Sequence, residues 1–255
     1  MKHTLIGTIA LVVIVSGIAT YALLRPAPVA APGTSAITEE SPYFSIDAKW
    51  PATTSLKASA GAAADKAAVA LMAAGVQNAV AQFKSDTDYG SIIPADAAYI
   101  GLGQDGRKYT FDVSYEATSS PTTVSYIFSL YADTLGAHGN GTYLTYTFDA
   151  KTGAPLSLSD LFTISTNYVG FLSAYARANL PAVIAAHEGV SPDEVDSQML
   201  DEGTAPDAAN FQWFYLANGD LVLLFPPYAV APYAAGTIEL DIPLSQVTGL
   251  KAGYP

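Results

Sequence analysis

Two histidines, His138 and His187, are the side chains beyond the N-terminal apolar run that are best suited to catalysis. A histidine can activate a nearby serine for acyl transfer, and it can hold a metal together with carboxylates. The motifs that would place such partners are absent: there is no Gly-x-Ser-x-Gly, no Ser-x-x-Lys and no His-Glu-x-x-His. The sequence therefore predicts no enzyme, no metal and no cofactor. A cell-wall hydrolase that uses His138 or His187 stays as an alternative.

Composition excludes further classes of function. With no cysteine, the chain has no disulfide, thiolate metal site or cysteine nucleophile. The formal net charge of −12 makes nucleic-acid binding unfavourable, because phosphate backbones repel such a chain. One acidic segment, residues 193–202, lacks the spacing of a calcium loop, and its Ser191-Pro192-Asp193-Glu194 start is typical of a capped helix.

The N-terminal region predicts where the protein resides. Residues 5–24 form an uncharged run of 20, long enough to cross the hydrocarbon core of a bilayer as a helix. A tail of four residues (1–4) precedes this predicted uncleaved anchor, and a Pro- and Ala-rich stalk (25–42) follows it. Lys2 and Arg25 flank the run, so the part beyond it has 9 basic and 23 acidic residues and a formal charge of −14. We expect residues 43–255 to form a domain outside the cytoplasm, at the cell surface or in the periplasm.

Hydrophobic periodicity predicts an α+β fold for this domain. Apolar residues at Val69, Met72, Val76, Val80 and Phe83 indicate one face of an Ala-rich helix over about 62–84. Alternating or aromatic-rich runs predict strands at 44–50, 109–117, 124–131, 142–148, 211–216, 221–225 and 237–242. Because strands and helices are segregated along the chain, we expect a mainly antiparallel sheet packed with the Ala-rich helix and further helices. Two subdomains are expected to meet near residues 134–142.

Two loops between the predicted strands contain the candidate ligand-binding residues. Gly136, His138, Gly139 and Asn140 lie in a glycine-rich loop, which is expected to be exposed. Tyr228 and Tyr233 flank a proline-containing bend. Tyrosines on an open face can stack on sugar rings. The competing interpretation is structural: the histidine caps a hairpin and the tyrosines pack beneath a loop.

Two stretches of the sequence resemble a known family. The first comprises residues 136–139, 143–153 and 156–162, and the second comprises residues 211–224, 227–236 and 238–244. Together they resemble the extracytoplasmic domain of RsiV-type anti-sigma factors, which also precedes the catalytic part of PdaC-type peptidoglycan deacetylases and is catalogued as a domain of unknown function. The resemblance covers roughly residues 43–250. At Leu135 the family often has a second glycine.

The resemblance implies an α+β ligand-binding domain, similar to a lysozyme receptor in RsiV-type proteins and accompanying cell-wall chemistry in PdaC-type proteins. The four-residue tail is too short to hold a sigma factor, and no deacetylase domain follows in this sequence, so neither activity carries over. We therefore expect a membrane-anchored module that binds a cell-wall glycan or a basic, wall-active protein such as lysozyme. A structural envelope protein with a protein partner is the remaining alternative.

Overall fold

A computed structural model describes residues 33–254. The predicted tail, the predicted anchor and the first part of the predicted stalk (25–32) lie outside the described residues. The strands are β1 (Thr34–Glu40), β2 (Phe44–Pro51), β3 (Tyr109–Ser119), β4 (Thr123–Asp133), β5 (Asn140–Asp149), β6 (Pro155–Leu156), β7 (Phe214–Ala217), β8 (Asp220–Phe225) and β9 (Ile238–Pro243). The helices are α1 (Leu56–Ser59), α2 (Ala62–Asp86), α3 (Pro94–Tyr99), α4 (Tyr168–Glu188) and α5 (Ser197–Gly203).

Strands β1 to β6 form one sheet in sequence order, and β7 to β9 form a second, antiparallel sheet. Within the first sheet, β2 and β3 are parallel and every other neighbouring pair is antiparallel. Parallel neighbours need a long crossover connection, and the segment from α1 to α3 provides it. The predicted α+β class with mainly antiparallel pairing is confirmed.

The folded part begins earlier than predicted. Residues 34–40, which the sequence assigned to the stalk, form edge strand β1 and pair along their whole length with β2. The Glu39 carboxylate lies 2.5 Å from the Lys84 ammonium on α2 and accepts a hydrogen bond from the Tyr89 hydroxyl at 2.6 Å. The segment escaped prediction because Ile37 is its only large apolar residue. Backbone pairing and these polar contacts hold the strand.

Helix α2 packs on one face of the first sheet, as predicted. Met72, Val76, Val80 and Phe83 are buried on its inner face, and Phe83 stacks on Phe111 of β3 with ring centroids 5.0 Å apart. Close approach of the helix to the sheet requires Gly75, since a Cβ there would overlap the Tyr146 hydroxyl of β5. At the N-terminal end of α2, Asp65 accepts hydrogen bonds from the backbone and hydroxyl of Thr54.

The rest of the chain builds a second packing unit from α4, α5 and strands β7 to β9. Asn218 and Gly219 form the predicted hairpin turn, both with positive φ as a type I′ turn requires. Of the described helices, α4 is the one whose length and composition would allow it to cross a membrane. Its inner face is buried in the second core through Leu172, Leu180 and Ile184, so it is a core helix in this fold.

Two separate hydrophobic clusters divide the described residues into an N-terminal unit (34–156) and a C-terminal unit (157–254). The chain crosses between them after β5 and β6, although the predicted meeting region, 134–142, does contact the C-terminal unit. Polar contacts join the two units. The indole N–H of Trp213 donates to the Tyr143 carbonyl at 2.7 Å, and the Tyr143 hydroxyl lies 2.9 Å from the Thr237 hydroxyl.

Candidate functional site

The loop between β4 and β5 holds the predicted histidine. It begins with a turn in which Asp133 accepts a hydrogen bond from the Leu135 backbone N–H at 2.7 Å. Leu135 has a φ of 60°, a left-handed conformation that glycine adopts at lower cost. Leu135 therefore adopts a backbone conformation that suits glycine, the residue that the resembling family often has at this position.

Three aromatic side chains from two distant parts of the chain meet at this loop, and we call them the aromatic cluster: His138, Tyr228 and Tyr233. The His138 and Tyr233 rings stack with centroids 3.7 Å apart and planes 20° apart. Tyr228 lies 6.1 Å from His138 and 5.6 Å from Tyr233, centroid to centroid. His138 and Tyr228 are exposed, with Tyr228 at 54%. The fold thus brings together three of the six candidate residues named from the sequence, and their role in ligand binding stays a prediction.

Hydrogen bonds fix the orientation of the cluster. The Gly139 carbonyl accepts from the Tyr233 hydroxyl at 2.8 Å and lies 2.9 Å from His138 Nδ1. A carbonyl can only accept, so Nδ1 is the protonated nitrogen of the imidazole. In the neutral ring, Nε2 then accepts from the Tyr228 hydroxyl, 3.1 Å away. The histidine is therefore held at both nitrogens while one side of the cluster remains open to solvent.

The remaining predicted residues have different places. Gly139 is buried beneath Tyr131, whose ring a Cβ at this position would overlap, so Gly139 supports the cluster and is not a contact surface. Gly136 is exposed, and a Cβ at this position would have the His138 carbonyl oxygen as its nearest neighbour, 3.9 Å away. Asn140 begins β5 and lines a groove on the opposite face of the sheet. Tyr131, 43% exposed beside Gly139, is an aromatic neighbour that the sequence analysis did not select.

The groove was not predicted from the sequence. It has a volume of about 1160 Å³ and lies between the C-terminal half of α2, the segment 86–100 and the ends of β3, β4 and β5. Buried Phe83, Phe111 and Leu130 form part of its apolar wall. Thr134 and Asn140, at the two ends of the β4–β5 loop, line its border. The same loop therefore borders the groove on one face and contains His138 on the other.

The groove is strongly acidic at its mouth. Asp86, Asp88 and Asp96 are exposed lining residues, and no Lys, Arg or His side chain lines the cavity within the described residues. Gln82 donates a hydrogen bond to Asp86 at 2.6 Å, one helical turn away. No sequence motif marks this site, because its residues come from segments up to about 60 positions apart that only the fold brings together.

The other residues considered for catalysis or metal binding lie outside the aromatic cluster. His187 lies exposed in the last turn of α4, on a different element from His138. The Ser191–Glu194 capping box forms as predicted, around a short 3₁₀ helix over Pro192–Glu194. Among residues 33–254, no group of three or more His, Asp or Glu side chains is arranged to hold a metal ion.

Comparison with known proteins supports the resemblance drawn from the sequence. Residues 159–245 match the family described as "Protein of unknown function (DUF3298)". The chain is 33% identical over 122 residues to peptidoglycan-N-acetylmuramic acid deacetylase PdaC of Bacillus subtilis (strain 168). This match covers 47% of the chain and 24% of PdaC, so the chain spans about a quarter of that relative.

Two solved structures share the fold. A DUF3298 family member from Bacteroides fragilis NCTC 9343 has a TM-score of 0.55 and 18% identity, covering 89% of this chain and 96% of that one. A DUF3298 family protein from Pseudomonas aeruginosa PAO1 has a TM-score of 0.53 and 16% identity, covering 88% and 96%. The predicted similarity to a domain of unknown function, and to PdaC, is confirmed; the RsiV-type similarity stays a prediction.

Proposed function

We propose that this protein is a membrane-anchored extracytoplasmic module that binds a cell-wall glycan. The proposal starts from the match of residues 159–245 to DUF3298. The aromatic cluster carries the proposal: two separate parts of the chain converge to present His138, Tyr228 and Tyr233 at the surface. The similarity to PdaC, whose name states that it acts on peptidoglycan, supports a location outside the cytoplasm and a cell-wall ligand. The anchor at residues 5–24 and the N-terminal tail belong to the proposal as predictions.

The cluster has the properties that sugar recognition requires. A tyrosine offers apolar area to the C–H face of a pyranose and a hydroxyl to its substituents, at a cost of only two side-chain torsions. Tyr228 presents half of its surface, while the Tyr233 hydroxyl and His138 Nδ1 are already anchored on the Gly139 carbonyl. The rings are thus held in place before a ligand arrives, which reduces the entropy lost on binding.

We propose a role in binding without catalysis. Hydrogen bonds to the Gly139 carbonyl and the Tyr228 hydroxyl occupy both ring nitrogens of His138, and neither partner is a serine or a carboxylate. His187, the second histidine named in the hydrolase alternative, lies in the last turn of α4. We infer that neither histidine activates a nucleophile. Unchanged turnover of wall material after replacement of both would remove the hydrolase alternative.

A basic, wall-active protein such as lysozyme is the second candidate ligand, and the charge of the chain favours it. The net charge of −12 attracts basic proteins over a distance set by the ionic strength. A surface for such a protein would be recognised by binding that weakens steeply with salt, whereas stacking on a neutral sugar is nearly independent of salt.

A retention experiment tests the proposal with the full chain, purified in mild non-ionic detergent. Binding to insoluble peptidoglycan and to immobilised lysozyme is measured at about 50 mM and about 300 mM salt. We expect retention on peptidoglycan at both salt concentrations, and a loss of about fivefold in Tyr228→Ala. Tyr99→Ala is the matched control, because Tyr99 is 92% exposed and lies outside the cluster. Equal retention of both variants, or retention on lysozyme alone, would overturn the glycan proposal.

A further inference from the structure

The groove on the opposite face of the first sheet is a second concave surface, separate from the aromatic cluster. Its walls differ in character: Phe83, Phe111 and Leu130 are buried and apolar, while Asn140 and Thr142 on β5 offer exposed polar groups. At about 1160 Å³, it exceeds the usual range of about 300–1,000 Å³ for small-molecule pockets. Its size therefore suits a segment of polypeptide better than a single small molecule.

Exposed apolar side chains extend the apolar surface beyond the cavity. Eight large hydrophobic side chains are exposed within residues 33–254, and three of them, Ile93, Tyr99 and Ile100, fall within eight consecutive positions beside the groove. Tyr99 and Ile100 line it directly. Apolar side chains concentrated at one place and rimmed by polar residues mark an interaction surface.

Charge determines which polypeptide fits. Asp86, Asp88 and Asp96 stand at the groove, and none of the three takes part in an ion pair among the described residues. With no basic side chain in the lining, an acidic ligand would meet only repulsion there. A ligand that contains guanidinium or ammonium groups would satisfy these carboxylates with charge-assisted hydrogen bonds.

We propose that this groove binds a basic peptide segment in which arginine or lysine alternates with apolar residues. In an extended peptide, successive side chains point to opposite sides. One row would then face Phe83, Leu130 and Ile100, while the other row meets the carboxylates at the mouth. The proposal does not depend on glycan binding at the aromatic cluster, since the two sites lie on opposite faces of the sheet.

Fluorescence anisotropy of a labelled peptide tests this proposal with the full chain in non-ionic detergent. The probe is a peptide of about nine residues in which arginine and leucine alternate, compared with glutamate–leucine and arginine–glycine peptides of the same length. We expect the arginine–leucine peptide to bind at least about tenfold more tightly than either comparison peptide. Equal binding of the glutamate–leucine peptide would overturn the charge argument, and equal binding of the arginine–glycine peptide would overturn the apolar one.

Paired variants locate the site. Asp88→Asn with Asp96→Asn removes two carboxylates from the groove, and asparagine tolerates the left-handed φ of 51° at Asp88. Glu116→Gln with Glu188→Gln changes the net charge equally, outside the groove lining. We expect the first pair to weaken binding about fivefold to tenfold and the second to change it less than twofold. An equal loss of peptide affinity in both double variants would mean that only the net charge of the protein matters, and it would overturn the proposal.

The two exposed tyrosines separate this proposal from the glycan proposal. Tyr99→Ala is expected to weaken peptide binding while leaving retention on peptidoglycan unchanged, and Tyr228→Ala should do the reverse. Loss of both activities in Tyr99→Ala alone, with an unchanged melting temperature, would contradict a separate peptide site. Because Tyr99 is 92% exposed, this substitution removes no buried contact and leaves the fold intact.

Discussion

Each unit of the molecule has one helix that approaches its neighbour at a glycine, and the two glycines face different kinds of partner. Gly75 on α2 faces the hydroxyl at the end of the Tyr146 side chain. Gly203, the last residue of α5, faces the backbone carbonyl of Ala229, beside Tyr228 of the aromatic cluster. A side chain can rotate away from an added methyl group, but a backbone held by buried neighbours cannot. The same substitution should therefore cost much more at Gly203 than at Gly75.

Gly203→Ala is expected to have the largest effect. Its Cβ would overlap the Ala229 carbonyl, and the adjoining Val230 and Ala231 are buried, so the segment cannot move without losing core packing. We expect a loss of about 3 kcal/mol in the free energy of unfolding, measured by chemical denaturation, together with weaker glycan retention.

The control for this prediction is Gly136→Ala. A Cβ at Gly136 would have its nearest neighbour, the His138 carbonyl oxygen, 3.9 Å away, so a change within about 0.5 kcal/mol is expected. A Gly203→Ala variant as stable as Gly136→Ala would show that the backbone at Ala229 yields as readily as a side chain, and the comparison between the two units would fail.

Gly75→Ala should have a smaller effect whose sign depends on Tyr146. Replacement of glycine by alanine inside a helix stabilises it by about 1 kcal/mol, whereas overlap with the Tyr146 hydroxyl costs about 1–3 kcal/mol. We expect a net loss in the wild-type background and a gain of up to about 1 kcal/mol in Tyr146→Phe, which lacks the hydroxyl. A double-mutant cycle measured by chemical denaturation would reveal this change of sign, and additive effects would contradict the geometry.

The smallest effect concerns the edge of the N-terminal unit and depends on pH. The hydrogen bonds from Lys84 and Tyr89 hold the pKa of Glu39 below its ordinary value of 4.5. A lowered pKa means that this carboxylate stabilises the fold fully above about pH 4.5 and loses its contribution as the pH falls through the lower, folded-state pKa. The melting temperatures of the wild type and Glu39→Gln should therefore differ most near pH 7 and converge towards pH 3.

Glu116→Gln provides the matched control for Glu39, since it removes one exposed carboxylate from the same sheet. A difference between the wild type and Glu39→Gln that stays constant from pH 3 to pH 7 would mean that the contact with Lys84 does not stabilise β1. The prediction would then be wrong even if the strand is formed.

The elements that the sequence predicted well are those determined by neighbours along the chain. The Asn218–Gly219 turn needs only two residues that tolerate positive φ, and the face of α2 follows from apolar spacing. The Ser191–Glu194 capping box is similarly local. His138, Tyr228 and Tyr233 were named as candidates in two separate loops, but their clustering was not predicted, since 90 positions separate His138 from Tyr228.

The elements that the sequence missed depend on contacts between distant segments. Strand β1 has one large apolar residue, Ile37, and is held by its pairing with β2 and by the contact of Glu39 with Lys84, 45 positions away. The groove likewise brings α2, which belongs to the crossover connection, next to Asn140 at the start of β5. Tyr131 was not selected because its position beside the aromatic cluster depends on its packing over Gly139, a contact that the sequence does not reveal. Periodicity and turn chemistry report local preference and carry no information on these distant contacts.

The loop between β4 and β5 belongs to both proposed sites, so that binding at one site would be coupled to binding at the other. His138 within it belongs to the aromatic cluster, while Thr134 and Asn140 at its ends border the groove. An occupant that displaces this loop at one site alters the geometry of the other. By reciprocity of binding free energies, any factor by which a peptide in the groove changes glycan affinity is also the factor by which a glycan changes peptide affinity. The six residues from Thr134 to Gly139 would then set the sign and size of that coupling.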